Sequence, residues 1–251
     1  MDKHKEISFD GPPIVIENLC KSFGVRTILD KFNLTVGKEE NVVILGKYGA
    51  GKSVLIKCII GLLRPDSGKI NVLGNDVLSL DHEELDKVRT KIGFLFQGNA
   101  IYDSMSIREN LEFPLRRHWF KKSQQEIDAM VMEALQNVKL AHTIDMMPSE
   151  LSGGMQKRVA LARTMILNPE VILYDEPTTG LDPVTARDID GLILELQQKY
   201  HTSSIIISHD MSCVKNTADR VVLLLDGKCY TEGTYEQLEH SADEKIKQFF
   251  E

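Results

Sequence analysis

The sequence predicts an α/β fold built on a largely parallel central sheet, and three observations predict it. Short runs rich in β-branched residues recur along the chain, several of them apolar throughout, as strands covered on both faces are. Helix-period segments alternate with those runs. An Asp226-Gly227 pair directly follows the last apolar run and signals a hairpin, so an antiparallel piece is expected there.

In chain order the strand-like runs are Ile14-Val15-Ile16, Val42 to Leu45, Ile92 to Phe96, Val171 to Tyr174, Ser204 to Ile207 and Val221 to Leu225. Ser123 followed by Glu126 fits a capping box, and behind it Ile127, Met130, Val131, Ala134, Leu135 and Val138 share one helical face. A second amphipathic helix carries Ile189, Leu192, Ile193 and Leu196. Between Gln97 and about Leu167 no comparable strand run occurs, so residues 98–167 read as an inserted helical subdomain within one unit spanning 1–251. Lys245 to Phe250 reads as a short closing helix, with no further domain expected after the hairpin.

With 251 residues and 42% hydrophobic content, the chain can bury a full core. A net charge of −7 argues against nucleic acid as a partner, because phosphate backbones are met by concentrated Lys and Arg. The charged start, Met1 to Glu6, has no apolar run behind it, so neither signal peptide nor anchor is expected. The longest weakly polar stretch, Ser53 to Leu63, is interrupted by Lys57 and falls short of the roughly 18 residues a membrane span needs. Work at a membrane would therefore require other chains to hold this one there. Cys20, Cys58, Cys213 and Cys229 lie too far apart for a zinc pair and read as buried thiols in a reducing compartment. The histidines show no ligand spacing either, and no structural metal is expected.

Gly46-Lys47-Tyr48-Gly49-Ala50-Gly51-Lys52-Ser53 matches the phosphate-loop pattern, with an apolar strand before it and a helix-like stretch after it. Glycines let backbone N–H groups turn inward around phosphate oxygens, and the helix start adds a favourable dipole. Lys52 then reaches the β and γ phosphates, and the Ser53 hydroxyl ligates Mg²⁺. Val171 to Tyr174 leads into Asp175-Glu176, placing two carboxylates at the C-terminal end of a buried strand, where open α/β sheets present ligands. Asp175 is the candidate for the Mg²⁺ shell and Glu176 for the general base on the attacking water. Alone, the pair reads equally as a solvated strand end; the loop upstream favours the catalytic reading. Leu151-Ser152-Gly153-Gly154-Met155-Gln156 opens a helical run and offers a second anion site, although by itself Ser152 reads as an ordinary N-cap.

The order of phosphate loop, Gln97, Leu151 to Met155, Val171 to Glu176, Gly180-Leu181-Asp182 and His209 resembles the nucleotide-binding domains of ABC proteins over nearly the whole chain. That resemblance implies a P-loop ATPase using ATP and Mg²⁺ and working as a head-to-tail homodimer. Each copy's signature, Ser152, Gly153 and Gly154, would then close over the γ phosphate held by the other. It also implies that Gln97 senses Mg²⁺ and water, that Asp182 links the two sites and that His209 steadies the γ phosphate. Phe23 matches the aromatic that stacks on adenine, and the loop contacts run on to Val54. Plainer readings, a core histidine and a core phenylalanine, stand beside the last assignments. Lys47-Tyr48 departs from the Pro and Ser common in that family, which leaves the fine contacts at the γ phosphate open.

Two classes compete within that resemblance: a transporter ATPase, and a soluble ABC protein acting in repair, ribosome work or iron–sulfur assembly. Ser53 and Ser152 are 99 residues apart, too close for the long coiled-coil insertion of repair members, and one unit per chain is unlike ribosome-acting members. The apolar stretch Gly98 to Arg116 is where a permease's cytoplasmic helix would dock, unless its side chains fill the helical subdomain. With Glu112 to Arg116 and the signature, it is similar to the ATPase subunits of Mla/Mce-type phospholipid transporters. A generic solute importer remains the alternative. The implied partners are a second copy, permease subunits and a lipid-binding accessory protein. The implied location is peripheral, on the cytoplasmic face of the inner membrane.

Overall fold

Alternating strands and helices give, in chain order, β1 (Ile14–Phe23), β2 (Arg26–Val36), β3 (Asn41–Leu45), α1 (Lys52–Ile59), β4 (Ser67–Val72), β5 (Asn75–Asp76), α2 (His82–Arg89) and β6 (Ile92–Leu95). There follow α3 (Ile107–Leu115), α4 (Gln124–Asn137), α5 (Gly153–Met165), β7 (Val171–Asp175), α6 (Pro183–Tyr200) and β8 (Ser203–Ile207). Then come α7 (Met211–Thr217), β9 (Arg220–Leu225), β10 (Lys228–Gly233), α8 (Tyr235–Glu239) and α9 (Glu244–Lys247). The computed structural model describes residues 9–116 and 122–250; the charged start at Met1 to Glu6 lies outside that set.

Six strands form the central sheet in the order β10-β9-β3-β8-β7-β6. All its pairings are parallel except the β9–β10 hairpin, where Asp226 and Gly227 both take positive φ (51° and 77°), as a two-residue hairpin turn demands. Its strands are apolar throughout because each face is covered. Val43, Leu45, Ile172, Tyr174 and Ile206 point into one core with α3 to α7, while Val42, Ile44, Leu173, Ile205 and Ile207 point into a second core. Each such side chain contributes roughly 1.5–3 kcal/mol by leaving water.

That second core is closed by a separate antiparallel sheet, order β2-β1-β4-β5, together with α1. The expected antiparallel hairpin at Asp226-Gly227 is present, and this second sheet, to which Ile14 to Ile16 belongs, is a further antiparallel part. The alternation of buried Phe32, Leu34 and Val36 with exposed Asn33 and Thr35 is the period-2 signal that marks β2, a strand with one solvated face.

Between β6 and β7 the described residues hold only helices and turns. Ile107, Leu111, Val131, Leu135, Val159 and Leu161 bury into the same core as the sheet face. Helices α2, α3 and α4 each start with a capping box, Asp81/Glu84, Ser106/Glu109 and Ser123/Glu126. Two expectations change. Of the cysteines, Cys58 and Cys213 are buried, but Cys20 in β1 and Cys229 in β10 are half-buried. The closing helix runs only from Glu244 to Lys247, after which tighter i→i−3 bonds turn Phe249 and Phe250 back toward the body.

Candidate active site

Strand β3 delivers the chain at Leu45 into a loop that only glycine can close. Gly49 and Gly51 have φ of 77° and 104°, and a β-carbon on Gly51 would stand 2.7 Å from Ile28 Cγ2. Gly51 caps α1 without any side-chain acceptor, so the first-turn N–H groups keep their donor capacity for an anion. Lys52, only 8% exposed, donates from Nζ to the carbonyls of Gly46 (2.6 Å) and Lys47 (3.3 Å). Burial pulls its pKa down, while Glu176 and Asp175 oppose that shift and favour the ammonium form. Val54 turns its half-buried side chain to the second core, leaving its backbone for the loop.

Strand β7 ends on Asp175, whose Oδ1 accepts a 3.3 Å hydrogen bond from Ser53 Oγ. Burial raises the Asp175 pKa, the Ser53 hydrogen bond opposes that, and the charge of Glu176 adds to the rise against Lys57 and Lys52. A desolvated carboxylate beside a hydroxyl, in reach of phosphates, is a hard-oxygen donor set suited to a small divalent cation. Glu176 sits in the left-handed region at φ 53° and donates its N–H to the Ile207 carbonyl at 3.0 Å, which turns its side chain out of the sheet. Its Oε2 accepts from His209 Nδ1 at 2.7 Å and from Thr179 Oγ1 at 3.2 Å. His209, 64% exposed at its side chain, is no core histidine.

Lys52, Ser53, Asp175, Glu176 and His209 therefore meet at the C-terminal ends of β3, β7 and β8. A cleft of about 460 Å³ is lined by Lys52, Glu176 and His209 of this group, with Lys47, Tyr48, Met211, Gln248 and Phe249 also on its walls. Of these, Met211, Gln248 and Phe249 carry no sequence signal of their own, nor does the Thr179 hydroxyl that bonds Glu176; the fold brings them here.

Other predicted residues stand apart. Ser152 caps α5, accepting from the Met155 N–H at 3.3 Å, and neither it nor Gly153 nor Gly154 lines the cleft. Gly154 instead abuts α6, where a β-carbon would lie 2.5 Å from Thr185 Cγ2. Asp182 caps α6 through Val184 N (3.0 Å) and Thr185 N (3.1 Å), and the Thr185 hydroxyl holds its carboxyl below the usual range. Gln97 is exposed just beyond β6, with its backbone carbonyl accepting from Lys157 Nζ at 3.4 Å, and its side chain does not reach Asp175 here. Phe23 is 51% exposed at the β1–β2 hairpin tip, paired with Arg26, whose guanidinium comes within 3.9 Å of the position of a Gly49 β-carbon. Phe23 is thus not a core residue, and its hairpin flanks the loop.

A family model described as ABC transporter matches residues 29–179. The Intermembrane phospholipid transport system ATP-binding protein MlaF of Haemophilus influenzae is 40% identical over 236 residues, covering 94% of this chain and 89% of that one. The Probable ribonucleotide transport ATP-binding protein mkl of Mycobacterium leprae is 38% identical over 239 residues, covering 95% of this chain and 69% of that one. Among solved structures, the dimeric post-hydrolysis state of the ATP-binding cassette MJ0796 bound to ADP and Pi aligns with a TM-score of 0.79 and 31% identity. It covers 88% of this chain and 98% of that chain.

Proposed function

The chain belongs to the ABC transporter family, and from that premise we propose that it drives phospholipid transport as the ATP-hydrolysing subunit beneath a membrane permease. The observation that carries the ATPase reading is that Lys52, Glu176 and His209 line one cleft while Ser53 and Asp175, their chain neighbours, are hydrogen-bonded to each other. Gly46 to Val54 wraps the phosphates of ATP with backbone N–H groups, and Lys52 exchanges its carbonyl partners for phosphate oxygens. Ser53 and Asp175, with Gln97 moving in, would hold Mg²⁺, which when bound neutralises charge on the β and γ phosphates. Glu176 takes the proton of a water that attacks the γ phosphorus in line, and ADP leaves on the opposite side. His209 fixes the Glu176 carboxylate through Nδ1 and turns Nε2 toward the γ phosphate.

Ser152, Gly153 and Gly154 lie off the cleft of their own chain, and Gly153 has open space at its β-position. This supports their use in a second copy's site, with Asp182 between the two sites and Phe23 against adenine. Residues 98–167 would turn as a helical lobe during closure. The rings of Tyr102 and Phe113 meet at 5.0 Å, tilted by 55°, on the lobe surface beside Pro114 and Arg163, around a groove of about 240 Å³ fit for a permease helix. No helix among the described residues is long and apolar enough to cross a membrane. We therefore assign the chain to the cytoplasmic face of the inner membrane, held by permease subunits and accompanied by a lipid-binding protein. The phospholipid cargo rests on the likeness to MlaF. A second reading, a nucleotide or other solute as cargo, rests on the likeness to the protein named for ribonucleotide transport.

Glu176→Gln should retain ATP affinity while turnover falls by roughly two to four orders of magnitude, and it should accumulate as an ATP-bound dimer on gel filtration. Unchanged steady-state hydrolysis would remove Glu176 from its role.

A further inference from the structure

Lys47 occupies a phosphate-loop position, yet its ammonium has no part in the chemistry above. Its partners among the described residues are both neutral. Nζ donates to Gln248 Oε1 at 3.4 Å and lies 5.9 Å from the centroid of the Phe249 ring. Both partners follow α9, about 200 positions away along the chain. That segment is held on its far side: Tyr230 donates its hydroxyl to Asp243 at 2.7 Å, Ile246 is buried, and the Phe250 ring meets Tyr235 edge-on at 5.4 Å. So anchored, it presents Gln248 and Phe249 to the cleft that contains Lys52, Glu176 and His209.

A long bond to an amide oxygen and an exposed contact with a ring face are weak holds on a cation. A terminal phosphate offers charged acceptors that can pair with the ammonium at short range, whereas Gln248 offers one neutral oxygen at 3.4 Å. The nucleotide therefore wins Lys47 whenever it reaches the cleft. Lys47 shares that cleft with Glu176 and His209, so the phosphate it meets is the terminal one, which ADP lacks.

We propose that Gln248 and Phe249 belong to the nucleotide site as a latch that holds Lys47 in the nucleotide-free subunit and yields it to the γ phosphate of ATP. The segment after α9 then sets ATP affinity against ADP and comes loose when ATP binds. This rests on the reading of the cleft as an ATP site.

The test uses the full chain with Mg²⁺ and either AMP-PNP or ADP, titrated by calorimetry. Lys47→Ala should weaken AMP-PNP binding by about tenfold, the scale of one charge-assisted contact, with little change for ADP. Gln248→Ala with Phe249→Ala should tighten AMP-PNP binding by about threefold, and that gain should vanish in the Lys47→Ala background. No gain, weaker binding, or a gain that persists without Lys47 overturns the latch. Should the Phe249 variant fold poorly, the exposed Gln248→Ala alone carries the comparison. Hydrogen exchange on the unaltered chain gives a second readout: AMP-PNP should protect amides 46–54 and expose those of 246–250. Protection of the loop without change at 246–250 overturns the latch alone. No protection of the loop at saturating nucleotide overturns the ATP-site reading itself.

Discussion

At the scale of single residues, the site is organised by what burial does to charge. Asp175 is held at a raised pKa because its carboxylate is desolvated beside a second carboxylate. The folded state therefore takes up its proton more readily than the unfolded chain does. Stability from that proton is present below the ordinary carboxylate range and is lost as pH rises through the raised folded value. Asp175→Asn cannot ionise and escapes this loss. In nucleotide-free protein its melting temperature should match that of the parent below the ordinary carboxylate range and exceed it by about 2–4 °C at neutral pH. Equal melting at both pH values would show that Asp175 carries no such strain. Lys52, Ser53, Asp175 and Glu176 were all readable because loop chemistry and strand-end position are local patterns. Thr179 was not, since a hydroxyl three positions beyond a carboxylate has no meaning until the turn closes on it at 3.2 Å.

At the scale of elements, the start of α5 is fitted against the start of α6 with no room for a β-carbon at position 154. Gly154→Ala would drive that carbon into Thr185 Cγ2 and cost roughly 1–3 kcal/mol, the usual scale for overpacking. Thr185→Ser removes the offending methyl but keeps the hydroxyl that bonds Asp182. The double variant should regain most of the lost thermal stability; a melting temperature that stays low would mean the strain lies elsewhere. Helix α4 was legible from its capping box and 3.6-residue periodicity and α6 from periodicity alone; both form, and α6 proves to be capped by Asp182. Strands β2 and β4 were missed because each has one solvated face, and polar residues dilute the apolar signal that marks a doubly covered strand.

At the scale of the whole molecule, the cleft and the lobe surface are different faces with different tasks. Buried Asn110 donates to the carbonyls of Tyr102, Met105 and Ser106 and accepts from the Tyr102 N–H, so the loop before α3 is held rigid while the Tyr102 ring stays 44% exposed. Tyr102→Ala should therefore leave the loop intact and ATP binding unchanged, yet co-purify with a co-expressed permease in clearly reduced yield. Full recovery would take the docking site away from this groove. By itself the sequence determined the phosphate loop, the paired carboxylates, the central sheet and its covering helices, because each is written in neighbouring residues through periodicity, caps and glycine turns. Only the tertiary structure decided that Thr179 bonds Glu176, that a second sheet closes one core, and that Gln248 and Phe249 reach Lys47. The last two are contacts between distant stretches of chain, set by how layers pack, and the first waits on how a turn closes, so no local pattern encodes them.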